Sequence, residues 1–289
     1  MNVSFLGLGV MGAPMAGHLA VRGFDLMVWN RTAAKMESFA RQHGAALAPS
    51  PAAAAAGADA VITCLGDDPD IEAVLSEVLP AVKTGALVID HSTSSPDLAR
   101  RLAAAFAGRG AAFIDAPVSG GEAGAKAGKL SVMCGGETAA VDRARPVVEP
   151  YAARIVHIGP SGHGQLAKAV NQICIAGLLQ GLAEGVHFAA ASGLDIDRVL
   201  EAVSGGAARS WQMENRGKTM AEGSFDFGFA VDWMRKDLRI ALAEARRNGA
   251  QLPVTALVDQ FYAEIQAMGG GRQDTSALIR RLKAPGTGR

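Results

Sequence analysis

The sequence predicts an α/β fold, a doubly wound, mostly parallel sheet, followed by an all-α domain. Three observations carry this. Up to about residue 160, short runs rich in Val, Ile, Leu and Phe alternate with longer helical segments, the signature of strand, helix, strand repeats. A glycine-rich turn closes the first run and opens the first helical segment. From Gly164 on, the pattern is helical throughout, with no convincing strand. A chain of 289 residues is long enough for two domains with buried cores.

In order, the apolar runs fall at 3–6, 26–29, 60–65, 87–90, 112–115, 130–134 and 154–158. Helical patterns at 13–22 and 69–82 exemplify the segments between them. Two of the later connections are short or Gly-rich, so an antiparallel edge is expected there. The second half reads as helices at 165–192, 195–203, 210–220, 231–248 and 253–268. Asp195 is placed to cap a helix start and Gly249 to end one. The predicted domains are 1–161 and 162–289, joined by the long helix itself, with 284–289 as a frayed end.

Composition excludes several classes. With 49% hydrophobic and 19% charged residues the chain is not intrinsically disordered. Its 28 Lys and Arg against 28 Asp and Glu leave no basic excess for nucleic acid, and Arg100–Arg101 and Arg280–Arg281–Lys283 are too short to make a patch. Cys64, Cys134 and Cys174 are scattered in apolar runs, which predicts buried thiols in a reducing cytosol rather than disulfides or zinc. The N-terminus has no basic, cleavable leader pattern. The apolar stretch 173–191 is interrupted by Gln180, Glu184 and His187, which favours a buried helix over a membrane span. A cytoplasmic protein with no nucleic-acid or membrane partner is expected.

Gly7-Leu8-Gly9-Val10-Met11-Gly12 reads G-x-G-x-x-G between a strand and a helix, the context that makes this motif a Rossmann-type dinucleotide turn. Gly7 permits the tight turn, Gly9 lets N–H groups reach a pyrophosphate, and Gly12 lets helix and strand pack closely. The helix start then offers unpaired N–H groups to the anion. After the second strand the chain has Asn30-Arg31-Thr32 in place of an acid; Asp25 lies at the wrong end. Arg31 suits a 2′-phosphate, so NADP(H) is preferred and NAD(H) is the alternative; otherwise Arg31 caps the next helix or faces water. Leu65 and Gly66, after the third long run, are placed beside the cofactor. Asp67, Asp68 and Asp70 are expected to start the following helix, not to bind metal.

Two further segments carry polar groups. In Asp115-Ala116-Pro117-Val118-Ser119-Gly120-Gly121, the Ser119 hydroxyl and the N–H groups at Gly120 and Gly121 could hold a carboxylate; an ordinary glycine turn is the alternative. Lys168, Asn171 and Gln172 share one face of an apolar helix. Most helical lysines are solvated, but polar groups on a buried helix need partners, and desolvation fits a lysine for proton transfer near neutral pH.

Taken together, these motifs resemble the β-hydroxyacid dehydrogenases, which include 3-hydroxyisobutyrate dehydrogenase, tartronate semialdehyde reductase and the glyoxylate/succinic semialdehyde reductases. The resemblance runs over almost the whole chain. It rests on Phe5 to Ala16 with its Met11-Gly12 and Pro14-Met15 pairs, on Asp115 to Gly121 continued by Gly124-Ala125, Gly128 and Leu130, on Gly162-x-Gly164-x-x-x-Lys168-x-x-Asn171, and on Lys236-Asp237-Leu238. It implies Lys168 as the acid/base, Ser119, Gly120 and Gly121 as carboxylate ligands, Asn171 and Gln172 toward the substrate, Thr93 near the nicotinamide and substrate, and Lys236 closing on the cofactor. Trp211 and Phe225, Phe227 and Phe229 are pocket or core residues. Gln172 stands where many members have Asn, and His18 where Asn is common. The implied reaction is hydride transfer between NADP(H) and a short carboxylate substrate, in a homo-oligomer, dimer or tetramer. Imine reductases share the architecture but typically lack the lysine. A non-catalytic dehydrogenase-like module is the other alternative.

Overall fold

The computed structural model describes residues 1–282; the end at 284–289 lies outside the described residues. Among the described residues nine strands form one sheet: β1 Asn2–Leu6, β2 Asp25–Trp29, β3 Ala46–Leu47, β4 Ala60–Thr63, β5 Leu87–Asp90, β6 Ala112–Asp115, β7 Val118–Ser119, β8 Leu130–Gly135 and β9 Ala152–Gly159. Their order is β3-β2-β1-β4-β5-β6-β8-β7, with β9 on β8. The first six are mutually parallel. β8 runs antiparallel to β6 and β7 and parallel to β9, which supplies the expected reversed edge. Because β1 pairs with both β2 and β4, the winding changes direction beside it, where such sheets open a crevice at the carboxyl ends.

Alternation along the strands builds two cores. Val3 and Phe5 of β1 face α1 (Gly12–Val21), where Met15, Ala16 and Leu19 bury. Leu6, Val61, Val88 and Phe113 face the other side, against α3 (Pro51–Ala55), α4 (Asp68–Ala81) and α5 (Pro96–Ala107). Helices α2 (Ala33–His43), α6 (Gly121–Lys126) and α7 (Thr138–Val148) complete this part. Asp67 caps α4 in a capping box with Asp70, the structural role expected for these acids.

The remaining helices are α8 (His163–Ala191), α9 (Ile196–Ser204), α10 (Trp211–Glu222), α11 (Val231–Asn248) and α12 (Pro253–Ala267), followed by a 3₁₀ segment at Thr275–Arg281. Asp195 accepts a hydrogen bond from the Arg198 N–H at the start of α9, and Gly249 ends α11 with φ 81°. Ala176, Leu179, Ala183 and Val186 of α8 pack with Val231, Met234, Leu238, Tyr262 and Leu278 into a third core. The chain forms two compact units, Met1–Lys168 and the residues from Ala169 onward. The division falls inside α8, beyond 161/162, because the first turn of α8 is fastened to the sheet by Asp115.

Two expectations need correction. Only Cys134 is buried; Cys64 is half-buried and Cys174 is exposed on α8. And the stretch 173–191 of α8 is not buried throughout: Leu178 is exposed and Phe188 is 71% exposed. Apolar sequence alone does not distinguish a helix packed on one face from one packed all round.

Candidate active site

The glycine turn has the geometry its sequence requires. Gly7 has φ 103°, and a Cβ there would strike the Cys64 carbonyl. A Cβ on Gly12 would strike the Gly7 carbonyl, so β1 and α1 approach as closely as backbone allows. A Cβ on Gly9 would meet nothing within 4 Å, leaving an open cradle at the start of α1. No side chain caps that helix, and no acid lies in its first turn. Its leading N–H groups therefore fit an anion such as a dinucleotide pyrophosphate. Asn30 fixes the turn, accepting a 2.9 Å bond from the Leu8 N–H, while its Nδ2 donates to the Thr32 carbonyl. Arg31 is 84% exposed and makes a 3.1 Å ion pair with Asp70. Val10 is exposed, Met11 half-buried and Thr32 exposed around the same cradle.

Next along the carboxyl edge are Leu65 and Gly66, both half-buried. The Leu65 N–H donates to Ser92 Oγ at 2.8 Å, which ties this loop to the one carrying Thr93. Ser92 N–H and Thr63 Oγ1 both donate to Asp90 Oδ1, at 3.0 and 2.7 Å. Thr93 is half-buried between Ser92 and Ser94, which are buried.

The segment after β6 forms the third wall. Asp115 ends β6 fully buried, and its carboxylate accepts from the N–H groups of Gly162 (2.7 Å) and Gln165 (3.0 Å). It thereby caps the start of α8 from 47 residues away in sequence. Burial pushes its pKa up to about 6, and the two N–H donors oppose that. Four residues on, Ser119 is half-buried and Gly120 and Gly121 are exposed, with φ 131° and 60°. Lys168 is 8% exposed, and its Nζ donates to the Val118 carbonyl at 2.9 Å, one peptide from Ser119. The amine thus lies on the strand residue that precedes Ser119 and the Gly120–Gly121 turn.

His91 was not singled out by the sequence, yet it braces this wall. Its Nδ1–H donates to the Ala116 carbonyl at 2.6 Å and its Nε2 accepts from Tyr151 Oη at 2.8 Å. Burial lowers its pKa to about 4, against the pull of the Ala116 carbonyl. The unfolded chain, with an ordinary histidine at 6.5, takes up this proton first, so folding loses stability as pH falls from 6.5 toward 4. Asp115, with its raised pKa, has the opposite slope between 3.8 and about 6, so the test must be differential. In urea unfolding, the stability gap between the wild type and His91→Gln should narrow by about 2 kcal/mol from pH 7 to pH 5. A gap that stays constant would show that His91 is not held neutral.

The second unit holds its own polar chain. Asn171 Nδ2 donates to Gln172 Oε1 at 2.7 Å, and Gln172 Nε2 donates to Asp237 Oδ2 at 2.6 Å. Asp237 also pairs with Lys236 at 3.1 Å. Gln172 is only 2% exposed, so both ends of its amide are engaged inside the unit. Asp237 was read only as part of the Lys236-Asp237-Leu238 motif, with no role of its own, and Gln165 escaped the sequence reading. Each lies on the same helix as a lysine that was read, at i+1 and i−3, but their partners are far away in sequence. Trp211 lies 4.9 Å and Phe227 4.8 Å from the Arg216 guanidinium, whereas Phe225 is buried in the core.

Comparison with known proteins gives consistent matches. A family model described as the NAD binding domain of 6-phosphogluconate dehydrogenase matches residues 2–159, and one described as the NAD-binding of NADP-dependent 3-hydroxyisobutyrate dehydrogenase matches residues 162–282. An uncharacterized oxidoreductase of Shewanella frigidimarina is 56% identical over 98% of both chains. The 2-hydroxy-3-oxopropionate reductase of Escherichia coli is 35% identical over 98% of this chain and 97% of its own. Among solved structures, the 3-hydroxyisobutyrate dehydrogenase of Mycobacterium tuberculosis with L-serine is 34% identical with a TM-score of 0.90, covering 98% of this chain and 99% of that one.

Proposed function

The chain belongs to the β-hydroxyacid dehydrogenase family and is an NAD(P)-dependent hydroxyacid dehydrogenase, and from that premise we propose that it interconverts a short semialdehyde and its hydroxy acid with NADP(H), using Lys168 as general acid/base. The observation that carries this reading is the buried Lys168 amine on the Val118 carbonyl, beside Ser119. When bound, the nicotinamide supplies or accepts the hydride. The Ser119 hydroxyl and the N–H groups at Gly120 and Gly121 bind the substrate carboxylate and so orient the carbonyl. In reduction Lys168 Nζ gives a proton to the carbonyl oxygen as charge develops there; in oxidation it takes the hydroxyl proton. The Val118 carbonyl holds the amine in place and Asp115 fixes the helix that carries it.

A panel of glyoxylate, succinic semialdehyde, tartronate semialdehyde and methylmalonate semialdehyde, followed by NADPH oxidation, tests the substrate class. At least one should turn over, and butyraldehyde, which lacks the carboxylate, should have a kcat/KM about 100-fold lower, the worth of a charged hydrogen-bonded anchor. Equal turnover of butyraldehyde, or none of the panel, would contradict the reading.

Preference for NADP(H) rests on Arg31, whose exposed guanidinium can exchange Asp70 for a 2′-phosphate. Arg31→Ala should raise the KM for NADPH about tenfold and leave that for NADH within about twofold. Equal effects on both would remove the assignment. The substrate-bearing assembly is a homo-oligomer in this proposal: α9 carries Ile196, Val199, Leu200 and Val203 on one helix, yet none of its residues is buried.

A further inference from the structure

Gln165 is 1% exposed and lies in the first turn of α8, three residues before Lys168. Its side-chain amide reaches across to the loop after β5. Nε2 donates to the Ser92 carbonyl at 2.9 Å, and Oε1 accepts from the Ser94 N–H at 3.1 Å. The two bonds bracket Thr93 on either side, as a neighbouring strand would pair with it. The Gln165 main chain is anchored independently, its N–H donating to Asp115 Oδ2 at 3.0 Å. Ser92, Ser94, Asp115 and Gln165 are each at most 2% exposed, so water cannot replace these bonds. One residue therefore couples the end of β5, the end of β6 and the helix turn that carries Lys168.

We propose that Gln165 is a positioning residue for the reaction: it fixes Thr93 relative to the Lys168 amine, so that hydroxyl and amine address one substrate. This rests on the reading of Lys168 as acid/base. The requirement is specific to an amide of this length, because the loop presents one acceptor and one donor, in that order, to a single side chain.

Gln165→Glu keeps the length but places a carboxylate oxygen where Nε2 faced the Ser92 carbonyl. Ionised, the new group repels that oxygen; protonated, it donates to it. Asp90, Asp115 and Asp68, which accepts from the Ser95 N–H, disfavour ionisation there, as does burial; the Lys168 amine one turn on favours it. His91, on the adjacent β5 end, is uncharged at neutral pH.

The test measures kcat, KM and NADPH dissociation for the wild type, Gln165→Glu and Gln165→Leu from pH 5.5 to 8.5. At pH 8 both variants should lose kcat on the order of 10- to 100-fold, the cost of misplacing a reacting group, with NADPH binding and substrate KM within about threefold. As pH falls, Gln165→Glu should recover relative to the wild type while Gln165→Leu does not. Variants as active as an active wild type would overturn the proposal while sparing Lys168. So would variants that lose NADPH binding together with their fold, or a Gln165→Glu deficit that does not change with pH. A wild type with no NADPH-dependent turnover would overturn the acid/base reading and this inference with it.

Discussion

Lys168→Ala should lower kcat by about 1000-fold and leave the dissociation constant for NADPH within about twofold, because a positioned general acid contributes on the order of 100- to 10,000-fold. Lys168 is 8% exposed and its amine donates to the Val118 carbonyl, whereas the cofactor is proposed to sit on the turn at Gly7–Gly12. Removing it leaves that carbonyl without this donor, at a cost of about 1–3 kcal/mol in stability, which thermal unfolding will register separately. Lys168→Arg should rescue stability but not turnover: the guanidinium can still bond to Val118, yet it does not release a proton near neutral pH. Steady-state NADPH oxidation with a substrate from the panel, paired with a fluorescence titration of NADPH, separates the two effects. A kcat within tenfold of the wild type would remove Lys168 from the chemistry.

The second large effect is expected at the glycine turn, where two alanine substitutions should behave oppositely. Gly12→Ala drives a Cβ into the Gly7 carbonyl and within 3.1 Å of the Phe5 ring. With Gly7 already at φ 103° and closed against the Cys64 carbonyl, the turn has no room to yield. A stability loss of about 3 kcal/mol and a large drop in cofactor affinity should follow together. Gly9→Ala places its Cβ in open space, so unfolding should be unchanged within about 0.5 kcal/mol. The same methyl occupies the cradle that a pyrophosphate would enter, so NADPH should bind at least about tenfold more weakly. Differential scanning calorimetry with and without NADPH reads both quantities. Gly9→Ala that binds NADPH as the wild type does would place the dinucleotide elsewhere.

The sheet was legible where strands are buried on both faces, since Val61 and Ile89 sit in continuous apolar runs and Val3 and Phe5 in one broken only by the buried Ser4. Helix ends were legible where capping chemistry is local: Asp67, Asp195 and Gly249 each act within a few residues of their own position. β3 and β7 escaped because two residues carry no periodicity, and Ala46 and Leu47 are exposed. The 3₁₀ segment at Thr275–Arg281 escaped because Asp274, which starts it, is defined by its bonds to Ser276 and Arg216 rather than by a repeat. In the site, Lys168, Ser119 and the glycine turn stood out through spacing. Asp115 as a cap for α8, His91 as a brace and Gln165 as a clamp did not. Their partners lie 25 to 73 residues away, so no local pattern marks them. Gln172 was readable as an amide, but its engagement by Asp237, 65 residues on, was not.

The most direct measurement is a crystal structure of the protein with NADP⁺ and the hydroxy acid corresponding to its best substrate. The account predicts the carboxylate on the Ser119–Gly121 turn and the hydroxyl oxygen about 3 Å from Lys168 Nζ. A bound acid whose hydroxyl lies beyond reach of that amine, or whose carboxylate sits away from the turn, would contradict it.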